Sequence, residues 1–347
     1  GIRLDQLEME QLIGLLGEAR RDRVRLDVRR PGNARLLQFV LTPEEMQAPS
    51  VERAFLIRPR VGYIRVASFD VETGKQMREA ITKLGGPALR GLVLDLRNNP
   101  GGVLPAALEV ASLFLNPGQT ILSVQGRAVA GKQEKATAHG LAYKFPVAVL
   151  VNGKSASASE IVAGALQDHD RATIVGEPTF GKGLVESVYS LSQDTGLALT
   201  TAFYFTPSGR SIQRPLESGQ LVRREAPGKV YRTDAGRAVL GGGGIRPDRL
   251  VEPDAVTRLR AVLEASASFT SFAVEYLRKN PKPRDEFQVY LSQRSIRPSV
   301  SEWSVEREWI RSRLAEEILT QALGVAVGDE IALARDPQVK EALRALP

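Results

Sequence analysis

Cysteine is absent from all 347 residues, and histidine occurs twice, as His139 and His169. No disulfide or thiolate nucleophile can form, and cysteine-ligated zinc is excluded. The lack of cysteine fits a protein that works outside the cytoplasm. No apolar run approaches the ~18 residues that would suggest a membrane span. The chain opens at Gly1 without a basic, apolar leader, as a processed product would. Several catalytic signatures are also missing: there is no G-x-S-x-G elbow, H-E-x-x-H, phosphate-binding loop or dinucleotide fingerprint. Lys and Arg outnumber Asp and Glu by 47 to 40, giving a net charge of +7. The basic residues are scattered, with no zinc spacing, RNA-binding aromatic motif or lysine-rich tail, so nucleic acid is not an expected partner.

At this length the chain can bury a sizeable core and form two or three domains. Residues 1 to about 50 hold an amphipathic stretch, LEMEQLIGLLGEA, then an alternating one, RVRLDVRRPG, that ends in a Pro-Gly turn. From Val61 to Phe69 the pattern alternates and predicts the first core strand. Residues 71–84 predict a helix. GLVLDLR and PVAVLVN are short apolar runs of the kind buried in a sheet, and TILSVQGR reads as a further strand. Strands alternating with helices argue for an α/β core. Arg214 to about Gly244 is a long polar connection. After Asp254, TRLRAVLEASASFTSFAVEYLRK, VEREWIRSRLAEEILTQALG and DPQVKEALRAL predict amphipathic helices. The expected division is therefore 1–50, a core over 51–254, and a helical C-terminal domain over 255–347.

The segment from Val151 to Glu186 carries the chemistry. A serine run, SASAS, opens an apolar helical pattern, and Lys182 follows between two glycines in TFGKG. A serine needs a base to become a nucleophile, and a lysine can be that base when burial or neighbours lower its pKa. Phe180 and Leu184 are candidates to desolvate the amine. A helix starting near Ser159-Glu160 would aim free N–H groups at a developing oxyanion, with the Ala158 N–H as one donor. Ser155, Ser157 and Ser159 are all candidate nucleophiles, and Ser159 could instead cap the helix. Asp95 and Arg97 in LDLR could pair and brace the turn that follows. His169, in QDHDR, reads as a solvated helix end, and His139 lies in a variable-looking stretch.

This segment resembles the signature of the carboxyl-terminal processing proteases, the tail-specific serine proteases. Three more segments resemble the same family in the right order: Leu92 to Leu115 around NNPGG, LTTAFYFTPSGRSIQ, and GGGGIRPDRLVEP. The resemblance implies a Ser157–Lys182 dyad, and it selects the middle serine. It also assigns a second oxyanion N–H to Gly101 or Gly102. The implied fold is an α/β protease core with ClpP/crotonase-like βαβ layers. The N-terminal segment then corresponds to the last helix and strands of a PDZ domain. Implied substrates are proteins or peptides cleaved near their C-termini, in the periplasm or another extracytoplasmic compartment, without metal or organic cofactor. The C-terminal helices are a candidate surface for homo-oligomers. One residue departs from the family: its glutamine four positions after the lysine is Glu186 here. A carboxylate at that point motivates a rival reading, a catalytically weak or inactive protease fold acting as a binding or scaffold module.

Overall fold

The computed structural model describes residues 11, 14, 15, 17, 23–30, 35–44, 49–127, 131–137, 142–192, 195–214, 229–279 and 286–346. The chain divides into two compact units, 1–48 and 49–347. In the first, β1 (Val24–Val28) pairs antiparallel with β2 (Leu37–Leu41). Residues 11, 14, 15 and 17 are helical, within the stretch predicted to be amphipathic. The expected Pro31-Gly32 turn lies outside the described residues.

The second unit is built on a six-stranded sheet. Its strands are β3 (Val51–Arg58), β4 (Val61–Val66), β5 (Gly91–Asp95), β8 (Val147–Val151), β9 (Ala172–Gly176) and β12 (Arg249–Leu250). They lie side by side in that order. Only β3 runs antiparallel to its neighbour. The sheet thus begins one strand before the predicted Val61. β3 alternates half-buried with exposed side chains, as a sheet edge does.

Strand order explains the layers. Each parallel crossover moves the chain the same way across the sheet, and such connections are almost always right-handed. The crossover helices must then fall on one face. α1 (Thr73–Lys83), α2 (Leu104–Ser112) and α3 (Ala158–Asp168) do so. They pack against Ile64, Val66, Leu92, Leu94, Val147, Val149 and Ile174. The alternate residues Tyr63, Val93, Ala148, Leu150 and Val175 point to the other face. There the helix α9 (Pro337–Ala345) covers them with Val339, Ala342 and Leu343.

A second, antiparallel sheet joins β7 (Lys132–Lys135), β6 (Thr120–Gln125), β11 (Gly196–Phe205) and β10 (Leu184–Ser190) in that order. The first long amphipathic pattern after Asp254 is not one helix. It breaks at Ala267, which has φ 47°, into α4 (Arg258–Ala265) and α5 (Ser268–Lys279). These pack with α6 (Glu286–Gln293) and α7 (Val300–Leu323) around Leu263, Phe269, Phe272, Phe287 and Ile310. α8 (Val325–Arg335) leads from there to α9.

Because α9 seals one face of the core sheet, trimming its buried face should be felt globally. Leu343→Ala should lose about 2–4 kcal/mol of unfolding free energy in urea. Val300→Ala, at a side chain 87% exposed, should stay within about 0.5 kcal/mol. Equal effects of the two would refute this role for α9.

Candidate active site

The serine run and the NNPGG turn meet at the C-terminal ends of two adjacent parallel strands, β8 and β5. This is the edge where α/β sheets commonly present their chemistry. Cross-loop bonds hold the two together. The Ala156 N–H donates to the Asn99 carbonyl at 3.0 Å, and the Asn98 N–H donates to Asn152 Oδ1 at 3.0 Å.

The three serines separate by environment. Ser155 and Ser159 are fully buried, and their hydroxyls donate to the carbonyls of Leu96 and Asn99. Ser157 alone stays partly exposed. It is the residue before α3 and has φ 54° and ψ −112°, a region that a non-glycine residue rarely enters. Such strain is of order 1–3 kcal/mol and persists only where the surroundings over-determine it.

Glu160 supplies much of that determination. It is fully buried and accepts four hydrogen bonds. Oε1 accepts from the Thr179 hydroxyl at 2.5 Å and the Gly181 N–H at 2.7 Å. Oε2 accepts from the Ser157 and Lys182 N–H groups, both at 2.9 Å. One carboxylate thus fastens the serine loop to the lysine loop. Tyr204 adds a second clasp, its hydroxyl lying 2.7 Å from the Lys182 carbonyl and 3.2 Å from that of Ser157. Burial, and then the Glu160 charge, push the Tyr204 pKa well up, so it remains a donor.

Lys182 lies just before β10, and its amine donates to Glu186 at 2.8 Å. Among the described residues no hydrogen bond joins that amine to the Ser157 hydroxyl. The expected desolvation by Phe180 is not found, because Phe180 is 54% exposed and turns to solvent. The flanking Gly181, with φ 90°, lets segments 212–214 and 244 come close, where a Cβ would meet backbone and side-chain atoms.

The N–H of Gly101 is already engaged, donating to Asn99 Oδ1 at 2.8 Å. A Cβ on Gly101 would lie 2.9 Å from Ser157 Cβ and 3.0 Å from the Ala158 nitrogen, so the turn sits directly against the serine. Asp95 and Arg97 do pair, at 2.7 Å. His169 is at the far end of α3, roughly 18 Å along the helix from Ser157. It is not a solvated helix end. Its side chain is 9% exposed, because Nδ1 meets Asp234 and Nε2 meets the Thr120 carbonyl, each at 2.7 Å. His139 lies outside the described residues. Among the described residues, no group of three or more His, Asp or Glu is placed to hold a metal ion.

Residues 60–222 match peptidase family S41. That segment belongs to the family. Beyond it, the carboxyl-terminal-processing protease of Synechocystis sp. is 39% identical over 218 residues, covering 62% of this chain and 50% of the relative. The carboxy-terminal-processing protease of Bartonella bacilliformis is 42% identical over 199 residues, 55% of this chain and 44% of the relative. The chain thus spans half or less of the length of these curated relatives. Among solved structures, a photosystem II D1 C-terminal processing protease aligns at 29% identity and a TM-score of 0.47, over 68% of this chain and 57% of that one.

Within this family S41 segment, Glu160, Thr179, Tyr204 and Asn99 were not anticipated as site residues. Glu160 had a readable signal: it follows Ser157 by three positions, the spacing of a capping box.

Burial raises the Glu160 pKa, although its four hydrogen bonds oppose the shift. The folded chain therefore holds this proton more tightly than the unfolded chain does. Its contribution to stability is full below the unfolded glutamate value and is lost as pH rises through the folded one. Glu160→Gln should cost about 1–3 kcal/mol. In urea titrations the deficit should be larger near pH ~4 than near pH ~7. A deficit that grows with pH would mean that the four donors outweigh burial.

Proposed function

We propose that this chain is a serine-type endopeptidase in which Ser157 attacks and Lys182 acts as its base. The observation that carries this reading is the Glu160 carboxylate, which binds the backbone of both residues within one site. The resemblance of the surrounding segments to carboxyl-terminal processing proteases supports it further.

In this mechanism a neutral Lys182 takes the Ser157 proton as Oγ bonds to the peptide carbonyl carbon. The oxyanion is met by backbone N–H groups at Ala158 and Gly102, which have no acceptor among the described residues. For Gly101 to donate instead, its bond to Asn99 would have to open. Collapse of the intermediate breaks the C–N bond, and Lys182 returns the proton to the leaving amine. Water then attacks the acyl-enzyme and gives a proton to Lys182; the C–Oγ bond breaks, Lys182 returns that proton to Ser157 Oγ, and the carboxylic acid product leaves. Glu186 sets the condition for the first step. An ammonium that donates to a carboxylate at 2.8 Å is not a base, so the amine must leave that bond and lose a proton before it can serve Ser157.

Substrates in this reading are proteins or peptides cut near their C-termini. The compartment is periplasmic or otherwise extracytoplasmic, with which the absence of cysteine is compatible. A sheet carrying its crossover helices on one face supports a ClpP/crotonase-like layering of the core. The β1–β2 hairpin and the helical positions before it support a PDZ-like segment. The C-terminal helices are the candidate surface for self-association. A second reading, a catalytically weak protein that retains the fold for binding, is favoured by one observation, the Lys182–Glu186 ion pair.

Cleavage of fluorogenic peptides tests both. Ser157→Ala and Lys182→Ala should each abolish most activity, and the double variant should be little worse than either, because the two act as a unit. Full activity in Ser157→Ala would end the nucleophile assignment. Glu186→Gln should raise turnover near neutral pH. Lower turnover at every pH would instead mean that the carboxylate is needed.

A further inference from the structure

Arg97 connects parts of the chain that are 239 positions apart. Its Nη2 and Nε donate to Asp95 at 2.7 and 3.0 Å. Its Nη1 donates to Asp336 Oδ2 at 2.5 Å and to Gln338 Oε1 at 3.0 Å. Asp95 is fully buried and accepts a further bond from the Tyr63 hydroxyl at 2.7 Å. Asp336 has a second task with its other oxygen. Oδ1 caps α9, accepting from the N–H groups of Gln338 at 2.8 Å and Val339 at 3.2 Å. The same carboxylate therefore starts the last helix and grips the guanidinium. The pair is poorly screened, since the Arg97 and Asp336 side chains are only 14% and 21% exposed.

Arg97 stands two residues before Asn99. Asn99 is fully buried, and its side chain and carbonyl make four ties. Its amide donates to the Val66 carbonyl, its Oδ1 accepts from the Gly101 N–H, and its carbonyl accepts from the Ala156 N–H and the Ser159 hydroxyl. Any shift of Arg97 is thus passed to the turn that faces Ser157. Asp95 anchors the guanidinium to the strand, while Asp336 anchors it to a helix that docks on the far face of the sheet.

We propose that Asp336 is a positioning residue for the reaction at Ser157: by holding Arg97 it keeps the 98–102 turn in its working shape, so that docking of α9 and competence of the site are linked. The proposal rests on the peptidase reading for its catalytic consequence, but the linkage itself is structural.

The test is Asp336→Asn, in the full chain. Asparagine caps helices as well as aspartate does but carries no charge for Arg97. Asp336→Ser, a second capping side chain, serves if the first variant folds poorly. The expected result is a fall in kcat of about tenfold with KM changed less than about twofold. Combined with Arg97→Gln, the loss should be no greater than for Arg97→Gln alone. Amide hydrogen exchange over residues 97–103 should quicken by about tenfold while residues 147–151 hold their protection. Unchanged exchange over 97–103, or a loss that adds to that of Arg97→Gln, overturns the proposal. If the wild-type protein cleaves no peptide, the peptidase reading falls, and the exchange measurement still decides the linkage.

Discussion

The site depends on a single buried carboxylate. Glu160 lies in the first turn of the helix after Ser157, and its two oxygens accept from both loops that carry the chemistry. A charge in this position is expensive unless all its acceptor sites are used. Here four donors converge on it, three from the backbone. The geometry of Ser157, strained at φ 54°, is intelligible on that basis. The N–H of Ser157 is pinned, the helix behind it is packed into the core, and the Asn99 turn lies across its front.

The sheet explains where these parts come from. A monotonic strand order with right-handed crossovers puts α1, α2 and α3 on one face. It also aligns the ends of β5 and β8, so that two loops distant in sequence become neighbours. The lysine loop comes from the opening of the second sheet, and Tyr204 on β11 and Thr179 hold it against the serine. The far end of α3 is equally fixed, with Asp168 and Gln167 gripping the buried Arg210 at 2.8 and 2.6 Å. The serine is therefore presented by a helix anchored at both ends.

Much of this was legible in the chain. GLVL, ahead of Asp95, and VAVLV are apolar throughout and lie in strands buried on both faces. The Asp95–Arg97 pair was readable because its members are two residues apart in one strand ending. What could not be read was set by distance. Asp336 is a helix cap by its local pattern, and only the fold brings it to Arg97. Glu160 reads locally as a capping glutamate, and three of its donors lie 19 to 22 positions away. Phe180 shows the reverse error: an aromatic beside a lysine suggests desolvation, yet the side chain faces water.

The position of α9 also has a temporal meaning. The face of the sheet formed by Tyr63, Val93, Ala148, Leu150 and Val175 is covered by residues 337–345. During synthesis, β9 is complete at residue 176, so that face waits for about 170 further residues, which is roughly ten to thirty seconds at ordinary elongation rates. For that interval an apolar sheet surface is bare on the nascent chain, and the guanidinium of Arg97 lacks one of its two carboxylates. The cover of that face and the second carboxylate of Arg97 thus arrive together, in the last segment of this sequence to be made.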